Sequence, residues 1–359
     1  MKLKTLAITV AVLGGLAGAA WWSQRPTEVT GSVVTPGSKL VSPAIAGKLA
    51  RLELYAEAAA PVVELEKSGA NWSVINAQGM PADFNKLASF VQSLVDAKVN
   101  RDTGSNAEVL ARMELNKNRV VFKDAAGAVL LELKLGKTAP GSGTFAQRSG
   151  EPFGLVTSFS FSLDTTPNNW VEKKIIATEA PKVKEFTVDF GNGQPALQFA
   201  REKEGDLFAG VNLPEGKAAK ADEVNNALNA VLNARFDEPQ TALDTPEVAG
   251  AKAHATTYTL KTFGGDTYTV ALGRMPAPPA PPAPIPEPAA AGAEGQPPAE
   301  SPAPAAPAPQ PGPAYGFYTV SNPSSPWQSV LPKVALKFAD YYFNNLPENA
   351  DKLMVEKSQ

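Results

Sequence analysis

The side chains that most often carry out chemistry are scarce in this chain. Among 359 residues there is one histidine, His254, and no cysteine. An imidazole acting as general base needs a nucleophile or carboxylate placed to use it, and the surrounding GAKAHATTYTL supplies neither motif. His254 is therefore expected at the surface or at the start of a strand. With no thiolate available, a metal would have to rely on carboxylates. The acidic residues of LELYAEAAAPVVELEKS occur singly, and the alternation assigns them to the wet face of strands. Glycoside chemistry needs two facing carboxylates, and no spacing marks out such a pair. The glycines of GSGTF (Gly141 to Phe145) and FGNGQP (Phe190 to Pro195) lack phosphate-loop spacing and open no helix, so both read as hairpin turns. No catalytic residue, cofactor site or metal site is assigned, and the expectation is a protein that is not an enzyme.

Bulk properties narrow the remaining classes. The net charge is −3 with the signs mixed, which leaves no basic footprint for nucleic acid. Apolar residues make up 43% of the chain, enough for folded domains, and the length favours two of them. The N-terminal MKLKTLAITVAVLGGLAGAAWW carries Lys2 and Lys4 ahead of an apolar run from Leu6 to Trp22. At about 1.5 Å per residue that run spans roughly 26 Å, a little short of a hydrocarbon core. The lysines should stay cytoplasmic and Trp21-Trp22 should sit at the interface, placing the body outside. Residues 1–24 are thus expected to be a single-pass anchor in a bacterial inner membrane, with the body in the periplasm. The alternative is a cleaved signal, because Ala17-Gly18-Ala19 has the form a peptidase accepts.

An internal repeat organises the rest. KLARLELY (Lys48 to Tyr55) is echoed by KVKEFTVDF (Lys182 to Phe190), so Leu52 and Leu54 fall on Phe186 and Val188. PVVELEKSGANW is echoed by PALQFAREKEGDL, with Trp72 opposite Leu207, and LLELKLGK by YTVALGR, with Gly136 opposite Gly273. Each copy reads as strands of period two, then a helix, then a hairpin. In the first copy Asp83 caps a helix carrying Phe84, Leu87, Val91, Leu94 and Val95 at helical spacing. The matching helix holds Asp222, Val224, Leu228, Val231 and Leu232. The expected fold is α+β: an N-terminal transmembrane helix followed by two tandem copies of an antiparallel sheet packed with one helix, at 38–178 and 179–359. The Pro/Ala-rich tract at 276–313 falls where the first copy has the short turn TAPGSG. It is expected to be a disordered insertion inside a hairpin, with no ligand of its own.

Two aromatic segments are candidate partner surfaces. Trp170, Glu172 and Lys173 lie in NNWVEKKII where the first copy hands over to the second. There Trp170 either packs at the junction or presents an aromatic ring to a partner. The stretch WQSVLPKVALKFADYYFNNLP spaces Leu331, Val334, Phe338, Tyr341 and Tyr342 along one helical face from about Ser329. Such a helix either closes the second core or docks a neighbouring protein.

Taken together, GSKLVSPAIAGKLARLEL, VVELEKSGANWSVI, PADFNKLASFVQSL, LELKLGK and NNWVEKKII resemble the bacterial DUF4340 family, a domain of unknown function. The resemblance covers most of the chain outside the proline tract, which departs from the family pattern. It implies an envelope-anchored accessory component of a gliding-motility-type ABC export system, with the permease and ATPase subunits as partners and no catalytic residues to transfer. The expected function is a non-enzymatic accessory or scaffold protein of the envelope. The alternative is a module that binds an envelope polymer or small ligand at the seam between the two repeats.

Overall fold

Period-two alternation builds the first sheet. β1 (Arg51–Ala56) turns Leu52 and Leu54 inward, and β2 (Val63–Ser68) sets Leu65 and Val63 opposite them, all four fully buried. Each such side chain removed from water contributes about 1.5–3 kcal/mol. β3 (Asn71–Val74) and β4 (Met80–Pro81) continue one edge. After the helix Phe84–Asp96 come β5 (Val99–Asp102), a short helix Ala107–Ala111, β6 (Asn118–Lys123), β7 (Val129–Thr138), β8 (Thr144–Arg148) and β9 (Leu155–Thr157). The order across the sheet is β4-β3-β2-β1-β6-β7-β8-β9-β5, antiparallel throughout. The protein is described here by a computed structural model covering residues 34–141, 143–278 and 310–357.

The second sheet repeats this plan. β10 (Val183–Asp189), β11 (Leu197–Ala200), β12 (Ala209–Gly210) and β13 (Lys217–Ala219) precede the helix Ala221–Asn233. Then follow β14 (Glu238–Gln240), the helix Pro246–Ala253, β15 (Thr256–Thr262), β16 (Thr267–Arg274), β17 (Ala314–Val320), β18 (Ala335–Phe338) and β19 (Met354–Glu356). The order is β12-β11-β10-β15-β16-β17-β18-β14, which matches the first sheet strand for strand once β4 is set aside. β13, the counterpart of β4, pairs with β19. The chain divides into two units between Lys173 and Lys174. The architecture is α+β, with two large antiparallel sheets and few helices.

The flanks of the proline tract are direct neighbours. Gly273 pairs with Tyr315 and Arg274 with Ala314, and the Gly312 N–H donates to the Met275 carbonyl at 2.9 Å. Residues 279–309 of the tract lie outside the described residues. So does the anchor expected at residues 1–24. Among the described residues, no helix is long and apolar enough to cross a membrane.

Several local expectations need correction. Each unit holds more than one helix. Asn106 accepts the Glu108 and Val109 N–H groups to start Ala107–Ala111, and Thr245 with Pro246 at the first turn starts Pro246–Ala253. The C-terminal stretch is not a helix from Ser329. It makes a 3₁₀ turn at Leu331–Lys333, strand β18, and a short helix Asp340–Asn344. β18 lies between β17 and β14, so the backbone pairing of both neighbours outweighs the helical spacing. Trp72 is matched by Phe208, which is buried, and not by Leu207, which is 68% exposed. The strand register shifts the pairing by one residue. His254, by contrast, is exposed as expected, capping the helix Pro246–Ala253 just before β15 with its ring Nδ1 2.9 Å from the Gly250 carbonyl.

Candidate functional site

The five sequence-nominated residues fall into two places. Trp170 is only 1% exposed, at the end of the 3₁₀ turn Pro167–Trp170. Its indole meets Phe90 edge-on at 5.4 Å, its Nε1–H donates to the Asp164 carbonyl at 2.9 Å, and the Lys86 ammonium lies 4.8 Å from the ring centre. Lys86 also pairs with the Asp164 carboxylate at 2.5 Å. Burial pushes the Asp164 carboxyl up, but hydrogen bonds from Lys86, the Thr166 N–H and Asn169 outweigh it and hold the group below the usual carboxylate range. Trp170 therefore closes the end of its own unit. Beside it Glu172 is half-buried, its N–H donating to the Pro81 carbonyl at 2.8 Å, and half-buried Lys173 bonds Asn168 at 2.8 Å.

Tyr341 and Tyr342 stand on the short helix Asp340–Asn344, their ring centres 4.1 Å apart, with Tyr341 59% exposed. The neighbouring Phe343 is covered by the Arg274 guanidinium at 4.1 Å.

Aligning the two 13-residue helices at their caps shows what the first of these places means. Asp83 corresponds to Lys220, so Leu87, Val91, Leu94 and Val95 fall on Val224, Leu228, Val231 and Leu232, all buried. In the first unit the cap amide of Asp83 donates to the Trp170 carbonyl at 2.7 Å. In the second, the amide of Lys220 donates to the Leu353 carbonyl at 3.0 Å. Ala82 bridges Val171, and Ala219 pairs with Met354. A short extended segment thus returns to close each unit at the same point, with Trp170 in one and Leu353 in the other. By the same alignment Phe90 corresponds to Ala227 and Lys86 to Glu223.

That exchange of side chains opens a cleft of about 200 Å³ in the second unit. Its polar lining is Glu223, Asn226, Asn344, Asn345, Glu348 and Lys352. Among the described residues these six side chains make no hydrogen bond or ion pair with the rest of the chain. Ala227 and Leu353 contribute apolar surface.

The outer faces of the sheets also differ. In the first, Glu64, Glu53, Val121 and Glu132 sit side by side across β2, β1, β6 and β7. Directly opposed carboxylates repel, and cations offset this: Lys123 bonds Glu53 at 2.6 Å, Arg51 bonds Glu64 and Glu66 at 3.1 and 2.9 Å, and Arg119 reaches Glu132 at 3.7 Å. Glu53, expected on the wet face, is 4% exposed because Lys123 and Tyr55 cover it. The Tyr55 hydroxyl donates to Glu53 at 2.8 Å. Burial first, and that bond second, push its pKa up to about 12. In the second sheet the same row reads Gln198, Thr187, Thr259, Thr269 and Thr319, uncharged and rich in hydroxyls.

One buried charge escaped sequence reasoning. Arg201, 6% exposed, donates Nε–H to the Val183 carbonyl at 2.6 Å and Nη1–H to the Asp206 carbonyl at 3.0 Å. It also bonds the Ala180 carbonyl and lies 4.1 Å over Phe208. Its setting in AREKEGD resembles a solvated charge run, and only the apolar match of Phe199 two residues earlier hints that the strand turns it inward. The cleft has no sequence signal of its own beyond the exchange of Phe90 for Ala227.

These features define a two-unit α+β protein whose charged and aromatic groups mostly close its own edges. The chain belongs to the DUF4340 family, a domain of unknown function, whose profile matches residues 72–256, from within β3 to the first residue of β15. No curated protein and no solved structure matches the chain.

Proposed function

We propose that this protein is a non-enzymatic accessory or scaffold component of the bacterial envelope, held by its N-terminal segment with both units outside the cytoplasmic membrane. It works beside the permease and ATPase of an ABC-type transport system. The observation that supports the non-catalytic part is how the buried and half-buried charged groups are used; Glu223, Glu348 and Lys352 are exposed on the surface. Glu53 is held between Lys123 and Tyr55, Asp164 between Lys86 and the Trp170 turn, and Arg201 among three carbonyls. A general acid or base needs a free lone pair or proton facing substrate, whereas these groups bond to the fold. The basic, then apolar, N-terminal sequence motivates export, and the transport partners rest on what the resemblance of the quoted motifs implies. Tyr341, with Tyr342 beside it, is the exposed aromatic surface proposed to meet a partner.

The test is cross-linking of intact membranes followed by purification of the tagged full chain. Recovery of permease or ATPase subunits is expected, with a Tyr341→Ala variant recovering less. Consistent recovery of neither subunit would remove the transport assignment. N-terminal sequencing of the mature protein decides between anchor and cleaved leader.

A further inference from the structure

The two units close by the same backbone device and fill the resulting corner differently. In the first, the corner is occupied by the indole of Trp170, the ring of Phe90 and the Lys86–Asp164 pair. In the second, Leu353 replaces the indole, Ala227 the phenyl and Glu223 the lysine, so the corner is left as the cleft between the helix Ala221–Asn233 and residues 344–353. An empty corner is costly when its walls are apolar, because the lining loses contacts with nothing in return. Here the walls are mixed: Ala227, Leu346, Pro347 and Leu353 are apolar, and the polar groups beside them have no partner among the described residues, an arrangement suited to a guest.

We propose that this cleft binds one pyranose-sized sugar ring, either free or as a unit of a glycan. Size argues for it: about 200 Å³ is below the roughly 300 Å³ at which pockets for drug-sized ligands begin. Chemistry argues for it as well. Two carboxylates accept, the Lys352 ammonium donates, and three carboxamides do both. A hydroxyl donates and accepts at once, so a ring bearing several of them satisfies every group on this lining. Ala227 and Leu353 offer apolar surface to the ring's C–H face. A zwitterionic amino acid would use Lys352 and one glutamate and leave the three carboxamides idle. All six polar residues, Lys352 included, are exposed at the rim, so the cleft opens to solvent.

The full chain is titrated with free hexoses, N-acetylated hexosamines, short oligosaccharides and free amino acids at millimolar concentration, read by ligand-observed NMR and calorimetry. Saturable binding of a sugar is expected, weakened roughly ten-fold by Asn345→Ala, the loss that one to two hydrogen bonds represent. Ala227→Phe restores the ring found in the first unit and should abolish it. Should Ala227→Phe fail to fold, Asn345→Ala and the surface substitution Glu223→Gln decide the matter. Preference for an oligosaccharide over the free ring identifies a glycan source, and equal affinity identifies the free sugar. No sugar binding, binding unchanged in the variants, or selective binding of amino acids each overturns the proposal. Loss of transporter recovery with intact sugar binding would count against the accessory role alone.

Discussion

Gly136 and Gly273, paired in the repeated strands, offer a sharp test of how each sheet meets its short helix. A methyl group built on Gly136 would stand 2.1 Å from the Met113 carbonyl oxygen, just past the helix Ala107–Ala111. One on Gly273 would stand 2.1 Å from the Ala251 carbonyl oxygen, inside the helix Pro246–Ala253, and 2.8 Å from the Ala255 Cα. Carbon and oxygen rarely approach within about 3.3 Å, so in both units backbone must retreat by roughly an ångström. In the first unit that retreat pulls on a bond, since the Met113 carbonyl accepts the Lys137 N–H at 3.0 Å. Neither glycine has the positive φ that alanine would resist. Stiffening the unfolded chain should therefore favour alanine by about 0.4–1 kcal/mol. Overpacking opposes this by about 1–3 kcal/mol, toward the upper end here because the obstacle is backbone. The net expectation is a loss of about 2 kcal/mol for each of Gly136→Ala and Gly273→Ala, or a melting point roughly 4–8 °C lower for a unit of this size. Urea unfolding followed by tryptophan fluorescence separates the units, because Trp170 reports the first and Trp327, packed on Phe236, the second. Gly136→Ala should shift only the first transition and Gly273→Ala only the second. An unchanged or raised midpoint in both would refute the close approach of these carbonyls to the strands.

Replacing Arg201 with methionine keeps the stem over Phe208 and removes all three donations, which should cost about 2–4 kcal/mol in urea unfolding; lysine should not rescue it, having one nitrogen for three carbonyls. Tyr55 should resist ionisation until about pH 12, seen as a late step in the 295-nm absorbance titration (roughly the tyrosinate band) that Glu53→Gln advances. Because its folded pKa is raised, the stability it contributes is complete below its unfolded value of 10.0 and is lost as pH rises through about 12. Asp164 runs the other way: its folded pKa lies below 3.8, so its contribution is present above that value and fades as acid passes through the folded pKa. Acid unfolding of the first unit should accordingly begin at higher pH in Lys86→Met, monitored by Trp170 emission.

What was legible in the sequence followed from periodicity. Leu52, Leu54, Val63 and Leu65 alternate without interruption, and the buried faces of both long helices read directly from their spacing. The short helices carried start signals, Asn106 in one and Thr245-Pro246-Glu247 in the other, but too few apolar residues follow to give a period. β18 misled because Leu331, Val334 and Phe338 satisfy a helical spacing while Ala335, Leu336 and Phe338 are what the sheet buries. Pattern over so few residues cannot arbitrate, and the unpaired edges of β17 and β14 do. The cleft was illegible for a different reason. It depends on the absence of two rings at positions that can be matched only after the strand register and helix caps are known.

The comparison between units separates what the fold requires from what it permits. Both units need a glycine where a carbonyl of the short helix or of the turn after it meets the sheet, and both need a returning carbonyl for the amide that begins the long helix. These are backbone requirements, met by Met113 and Ala251, by Trp170 and Leu353, through side chains of quite different character. Where only side chains are concerned the units part: Glu53 stands opposite Val121 in a charged row, while its counterpart Thr187 stands opposite Thr259 in a neutral one. Both rows leave the backbone pairing of their sheets unchanged, because each charged member keeps its partners within its own sheet. A protein built of one plan used twice can therefore keep one corner as packing and leave the other for a ligand. Filling the second corner with Ala227→Phe and emptying the first with Trp170→Leu should have opposite consequences. The first change should remove binding and, because Ala227 is only 3% exposed, cost the second unit about 1–3 kcal/mol. The second should cost the first unit about 2–4 kcal/mol, through the cavity left by the smaller side chain and the lost Nε1–H bond, and leave binding untouched.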